Sequence, residues 1–254
     1  MMAADMNEHQ IKLRNMIAAS MWINGLTREE RDRVEADTTV QLVPAGAYVF
    51  RKDEPTEHWH GVVDGLVKFV TAHANGRKTT YTALPTGGWF GEASLQRNAP
   101  RSYDAIALRD SLIAYMPKAT FLWLLDHNIH FNHFVMRLLA ERLFQFFSLL
   151  EYDRLLDSTS RVAHCLASLF NPWLHPGLGP QIDISQAEIG NLVGLSRQRV
   201  NMALKVLDRA GLLRVEHHSI TVLDVEGLGR YEDEGRARKT RTSNKAVGKK
   251  RKAA

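Results

Sequence analysis

Cysteine is almost absent from this 254-residue chain, where Cys165 stands alone. A single thiol excludes an intramolecular disulfide and any multi-cysteine zinc or iron–sulfur centre. Long hydrophobic runs are missing too: none approaches the roughly 18 apolar residues that a membrane span needs. The opening MMAADMNEHQ has neither the basic nor the apolar region of a secretory signal. No nucleophile–base arrangement stands out, so no catalytic residue is assigned and an enzyme is the least expected class. These absences predict a cytoplasmic protein without a membrane partner.

What is present is the composition of a folded protein, 44% hydrophobic and 24% charged, long enough for two ordinary domains. The net charge of +5 hides an asymmetry. Residues 235–254 hold nine Lys/Arg and no acid, so the rest of the chain carries 24 basic against 28 acidic side chains. Basic character therefore belongs to the tail, and nucleic-acid binding has to be argued from a motif. The tail has no aromatics and no periodicity and reads as disordered over 232–254. Phosphate contacts and a solvated extension are both open to it.

Residues 1–20 read as a polar lead-in with a short helix. Thr27 and Glu30 fit a capping box that opens a helix to about Asp37. Between Thr38 and Pro117, short β-rich runs alternate with Gly, Pro and Asn turns, the texture of an antiparallel sandwich or roll. Asn75-Gly76 is the best hairpin signal. A long helical stretch follows from Lys118 to about Asp157, with Phe131, Val135, Leu138, Arg142, Phe146 and Leu149 at the helical period. Its apolar girth, with Phe144, Phe147 and Leu150 besides, predicts one side packed on the β domain and another on a second copy. Membrane contact is the weaker alternative, because Arg137, Glu141, Arg142 and Glu151 interrupt the run.

The segment ISQAEIGNLVGLSRQRVNMALKVLDRAGLL, residues 184–213, carries the clearest motif. Ser185 and Glu188 form a second capping box, opening a short helix that buries Ile189 and Leu192. Gly194 turns the chain, and Ser196 caps the next helix. That helix buries Val200, Leu204 and Leu207 and leaves Arg197, Gln198, Asn201, Met202 and Lys205 opposite. This is a helix-turn-helix, and the hairpin VEHHSITV makes a wing. Arg197 can present two donors to guanine, and Gln198 can pair with adenine or a phosphate. Ser196, Arg199 and Lys205 suit phosphates. Ser185 and Gln186 at the first helix, and His217 and His218 in the wing, complete the expected DNA-binding set.

A second constellation, GGWFGEASLQRNAPRSYDA, spans residues 87–105 inside the β region. Backbone N–H groups after Gly91, along Glu92, Ala93 and Ser94, can converge with the Arg101 guanidinium on a phosphate. Glu92 can accept from a ribose hydroxyl, and Ser102 adds a donor. A plain Glu92–Arg101 salt bridge closing the loop remains an equal reading.

Taken together, residues 20–225 resemble the Crp–Fnr family of bacterial transcription regulators. The likeness rests on Gly91-Glu92 … Pro100-Arg101-Ser102 and on Glu188-Ile-Gly … Gly194-Leu-Ser-Arg … Val200. The resemblance implies an α+β chain: an antiparallel β-roll of the cyclic-nucleotide-binding type over 20–127, a long dimerisation helix over 128–157 and a winged helix-turn-helix over 158–228. It also implies a cyclic nucleotide, cAMP or cGMP, as effector. In cAMP-binding members the matching acid holds the ribose 2′-hydroxyl, and the matching Arg and Ser hold the cyclic phosphate.

Two departures qualify it. Where those members place a Thr-Ser pair against adenine, this chain has Phe146-Phe147, rings that can stack on a base or fill an empty pocket. Where a Glu and a second Arg would read the half-site, it has Gln198 and Met202. Cys165 reads as core. His58, His60 and His73, and the trio His127, His130 and His133, read as solvated or hydrogen-bonded rather than as haem or metal ligands, so no metal is assigned. The expected protein is a homodimer on a pseudo-palindromic double-stranded operator, with RNA polymerase as a candidate further partner. Regulation through another effector, or without one, and a sensor acting through a protein partner are the rivals.

Overall fold

Alternating apolar and polar residues between Thr39 and Pro117 build two four-stranded antiparallel sheets. The first joins β1 (Thr39–Val43), β3 (His58–Asp64), β6 (Trp89–Phe90) and β8 (Ser111–Pro117) in the order β1-β8-β3-β6. The second joins β2 (Tyr48–Phe50), β4 (Leu66–Ala72), β5 (Lys78–Pro85) and β7 (Asp104–Ala107) in the order β2-β7-β4-β5. The run GVVDGLVKFV, which looks continuous in sequence, is cut at Gly65, whose φ of 123° turns the chain from one sheet into the other.

The computed structural model describes residues 2–72, 78–155, 157–176, 179–216 and 219–232. The Asn75-Gly76 turn, His73, the wing residues His217 and His218, and the basic tail lie outside the described residues. The chain divides into two units, one of Met1–Phe146 with Leu169–Gly179, the other of Phe147–Ser168 with Pro180–Ala254.

In the first unit, Phe50, Val62, Val67, Phe69, Leu84, Phe90 and Ile113 fill the space between the sheets. A second core lies on the outer side of the first sheet, where helices α1 (Met2–Ala19), α2 (Arg28–Asp37), α4 (Lys118–His127) and α5 (Ile129–Leu155) bring apolar residues to Trp59, Trp89 and Met116. The lead-in is thus more than polar. Leu13, Met16 and Ile17 are buried at a three-and-four spacing that their charged neighbours dilute in sequence.

Thr27 and Glu30 make their capping box, and α2 ends at Asp37 as expected. The long helical stretch, however, is broken at Asn128. The Asn128 side chain donates to Gly25 O at 3.0 Å and to Glu30 Oε2 at 2.9 Å, and its Oδ1 accepts from the Phe131 N–H at 2.8 Å. One residue therefore ends α4 and caps α5. At 27 residues α5 is ~40 Å long. Phe131, Val135 and Leu138 are buried, whereas Met136, Leu143, Phe144 and Leu150 are exposed.

The second unit holds α6 (Ser158–Ser168), α7 (Gln186–Val193), α8 (Arg197–Arg209), α9 (Val225–Gly229) and a small sheet β10-β11-β9 (Leu213–Val215, Ile220–Val222, Gln181–Ile182). Cys165 is buried in α6, and burial pushes its thiol up to about 12, so it is an inert core group. The shortest α-helix of the first unit, α3 (Glu92–Gln96), opens the candidate site.

Candidate functional site

Strand β6 delivers the chain to Gly91, whose φ of 97° swings it into α3. A Cβ there would stand 2.5 Å from Arg101 Nη1, so glycine is what lets the guanidinium approach. Arg101 is 3% exposed. Its Nη1 donates to Gly91 O at 3.3 Å, and its Nη2 donates to His58 O at 2.5 Å. Nη2 also lies 3.4 Å from His60 Nδ1, and the guanidinium carbon sits 4.2 Å from the centre of the Phe50 ring. The Nε–H is buried with no hydrogen-bond partner. Burial pulls the Arg101 pKa below its usual value. A desolvated guanidinium whose Nε–H has no partner is suited to a small anion.

His60 is buried beside Arg101, stacked on Phe90 at 5.3 Å and edge-on to Tyr115 at 4.9 Å. Burial first, then the Arg101 and His58 charges, hold its pKa well below 6.5. The ring is therefore neutral near pH 7, and Nδ1 can accept from Arg101.

Glu92 is 1% exposed, yet it is not closed onto Arg101: among the described residues no ion pair joins the two. The plain loop-closing salt bridge is thus corrected. Glu92 Oε1 instead accepts from Arg142 Nε at 2.5 Å, and Oε2 accepts from Trp59 Nε1 at 3.4 Å. Arg142 Nη2 donates to Trp89 O at 2.5 Å. Arg142 comes from α5, fifty residues along the chain. Its signal was a cation in the series Phe131, Val135, Leu138, Arg142, a place where charge needs a buried partner.

Of the other expected ligand residues, Ala93 and Ser102 are exposed and Ser94 is buried. Phe146 and Phe147 are both exposed, and the Phe146 ring stands edge-on to Tyr81 at 6.4 Å between centres. Gly91, Glu92 and Arg101 are brought together, with Arg142, His58 and His60 as neighbours that the sequence reading did not assign to the ligand site.

In the second unit, Ser185 and Glu188 close their capping box around the start of α7. Gly194 ends α7 at a φ of 67°, and Ser196 Oγ accepts from the Arg199 N–H at 3.4 Å to open α8. A Cβ at Gly190 would stand 2.5 Å from Leu195 O, which explains the glycine inside α7. Val193 rather than Leu192 takes the buried place beside Ile189. Val200, Ala203, Leu204 and Leu207 are buried beneath α8, leaving Arg197, Gln198, Arg199, Met202 and Lys205 exposed. Asn201 is half-buried and donates to Gln186 Oε1 at 3.0 Å, so these two brace α8 against α7. The exposed side of α8 carries donors and cations on a cylinder of groove-filling width.

Residues 40–128 match the cyclic nucleotide-binding domain family, and residues 160–231 match the Crp-like helix-turn-helix domain family. The chain is 30% identical over 201 residues to the cyclic AMP receptor protein of Thermus thermophilus, covering 78% of this chain and 90% of the relative. It is 30% identical over 191 residues to a CRP-like cAMP-activated global transcriptional regulator of Mycobacterium tuberculosis, covering 74% and 85%. The solved structure of FixK2 from Bradyrhizobium japonicum shares the fold, with a TM-score of 0.66 at 19% identity over 77% of this chain and 98% of that one.

Proposed function

The chain belongs to the Crp–Fnr family of bacterial transcription regulators, DNA-binding proteins, and from that premise we propose a homodimer whose operator binding is gated by a cyclic nucleotide, cAMP or cGMP, in the β-roll. The observation that carries the gating is the Glu92–Arg142 pair. The acid expected to meet a ribose hydroxyl already holds a cation of α5, so a ligand hydroxyl at Glu92 competes with the helix for the same carboxylate. Arg101, with its free Nε–H, supplies the anion contact beside it. The names of the two relatives support cAMP as the ligand class.

Dimerisation through α5 is supported by its exposed stripe. Ile129, Met136, Leu143 and Leu150 recur every seven residues and are 61%, 59%, 54% and 57% exposed. A heptad series of that kind fits a partner helix. Each protomer then lays α8 in a major groove, with half-sites about one helical turn (~34–36 Å) apart. Ligand shifts the population between two pairings of α5 only as far as it binds one better than the other.

Thermal unfolding with cAMP, cGMP or buffer tests the ligand. Nucleotide at about 100 times its dissociation constant adds roughly 2.7 kcal/mol, a rise of about 5–10 °C. The rise is expected in the wild type and not in Arg101→Ala; no rise at millimolar nucleotide removes the gating. A second reading, a regulator competent without nucleotide, is favoured by one contact. Phe146, where cAMP-binding members place a polar residue, already meets Tyr81 edge-on.

A further inference from the structure

The exposed face of α8 carries two apolar groups among its donors and cations, Met202 and Val206, and Met202 is the more exposed. Met202 is 55% exposed. It lies four residues after Gln198 and four before Val206, itself 41% exposed, so the three follow one line along the helix. Buried Val200, Ala203, Leu204 and Leu207 occupy the opposite side. A single exposed methionine is ordinary on a protein surface. This one stands at the centre of the face that meets base edges if α8 is the groove helix, the reading on which the inference rests. Its thioether donates nothing and accepts weakly, so it is blind to the hydrogen-bond pattern of the groove. The apolar feature that a base pair offers there is the thymine 5-methyl group. An unbranched side chain with three rotatable bonds and a polarisable sulfur can reach and cover it.

We propose that Met202 is a specificity-determining residue that reads one thymine per half-site through its 5-methyl group. Arg197, exposed at the start of the same helix, addresses a guanine by hydrogen bonds. The half-site would thus be read by one polar and one apolar contact, and Asn201, engaged with Gln186, contributes bracing rather than base recognition.

The test uses the full-length chain and operators selected from a randomised duplex library. Each thymine of the selected sequence is replaced in turn by deoxyuridine, which pairs identically and lacks only the methyl. Wild type is expected to lose about fourfold in affinity at one thymine per half-site, the worth of one buried methyl. Met202→Ala, a change at an exposed position, is expected to bind the thymine and deoxyuridine duplexes equally. Indifference of the wild type to every replacement, or the same penalty in Met202→Ala, overturns the proposal. Arg197→Ala separates it from the reading beneath it. Loss of the guanine preference with the methyl dependence kept supports both. A wild type that selects no sequence from the library overturns both.

Discussion

Two arginines show how differently the two units handle positive charge. Arg101, in the β-roll, is 3% exposed, tied to two carbonyls, a histidine nitrogen and a phenyl face. Arg197, at the start of α8, is exposed on a face shared with Gln198, Met202 and Lys205. Under the proposed function the inward arginine is preorganised for a small anion, at the cost of desolvating the cation. The outward one stays hydrated, and its conformational freedom suits the groove contact proposed for it. On that reading, a site for a small effector and a site for DNA differ in burial before they differ in residue type.

The sharpest way to break this contrast is to remove the cation that holds Glu92. Arg142→Leu leaves a carboxylate that is 1% exposed without its ion pair and should cost about 3–5 kcal/mol in chemical unfolding. The double change Arg142→Leu/Glu92→Leu should recover much of that loss; a single variant as stable as wild type would show that the pair is not buried in solution. Arg197→Ala should behave in the opposite way. Stability should stay within about 0.5 kcal/mol, while discrimination at one guanine falls by about 1–3 kcal/mol in competition binding.

Acid should have the next largest effect, through a deeply buried histidine of the first unit. His60 has its pKa held well below 6.5 in the folded protein, so the unfolded chain binds more protons as pH falls below 6.5. Its contribution is fully present above pH 6.5 and is lost on acidification, so the unfolding midpoint should fall between pH 7 and pH 5. His60→Gln should flatten that slope; an unchanged slope would place the titration elsewhere. Smallest of all, Ser185→Ala and Ser196→Ala should each cost about 1 kcal/mol through the lost caps of α7 and α8. Thermal melts of each variant check this.

The same contrast governs how much could be read from the residues. The helix-turn-helix was legible almost to the residue, because its signals are local: two capping serines, Gly194 at positive φ, and a buried series at helical spacing. The β-roll was legible as a class, since alternation and turn residues are also local. Strands β6 and β9, two residues each, are too short to show alternation. The environment of the nucleotide-type site was not legible, because its partners are distant. His58 and His60 reach Arg101 from about forty residues away, and Arg142 reaches Glu92 from fifty. Asn128 was hidden for the same reason: its role depends on Gly25 and Glu30, a hundred residues earlier.

Under the proposed function, occupancy at Arg101 and Glu92 governs what α8 does. The most direct test of this is the affinity of the full-length chain for its selected operator, at fixed salt, with buffer, cAMP or cGMP, in wild type and Arg101→Ala. One nucleotide is expected to tighten operator binding by wild type and to leave Arg101→Ala unmoved. Equal tightening in both proteins, or a wild type whose operator affinity ignores saturating nucleotide, would contradict it.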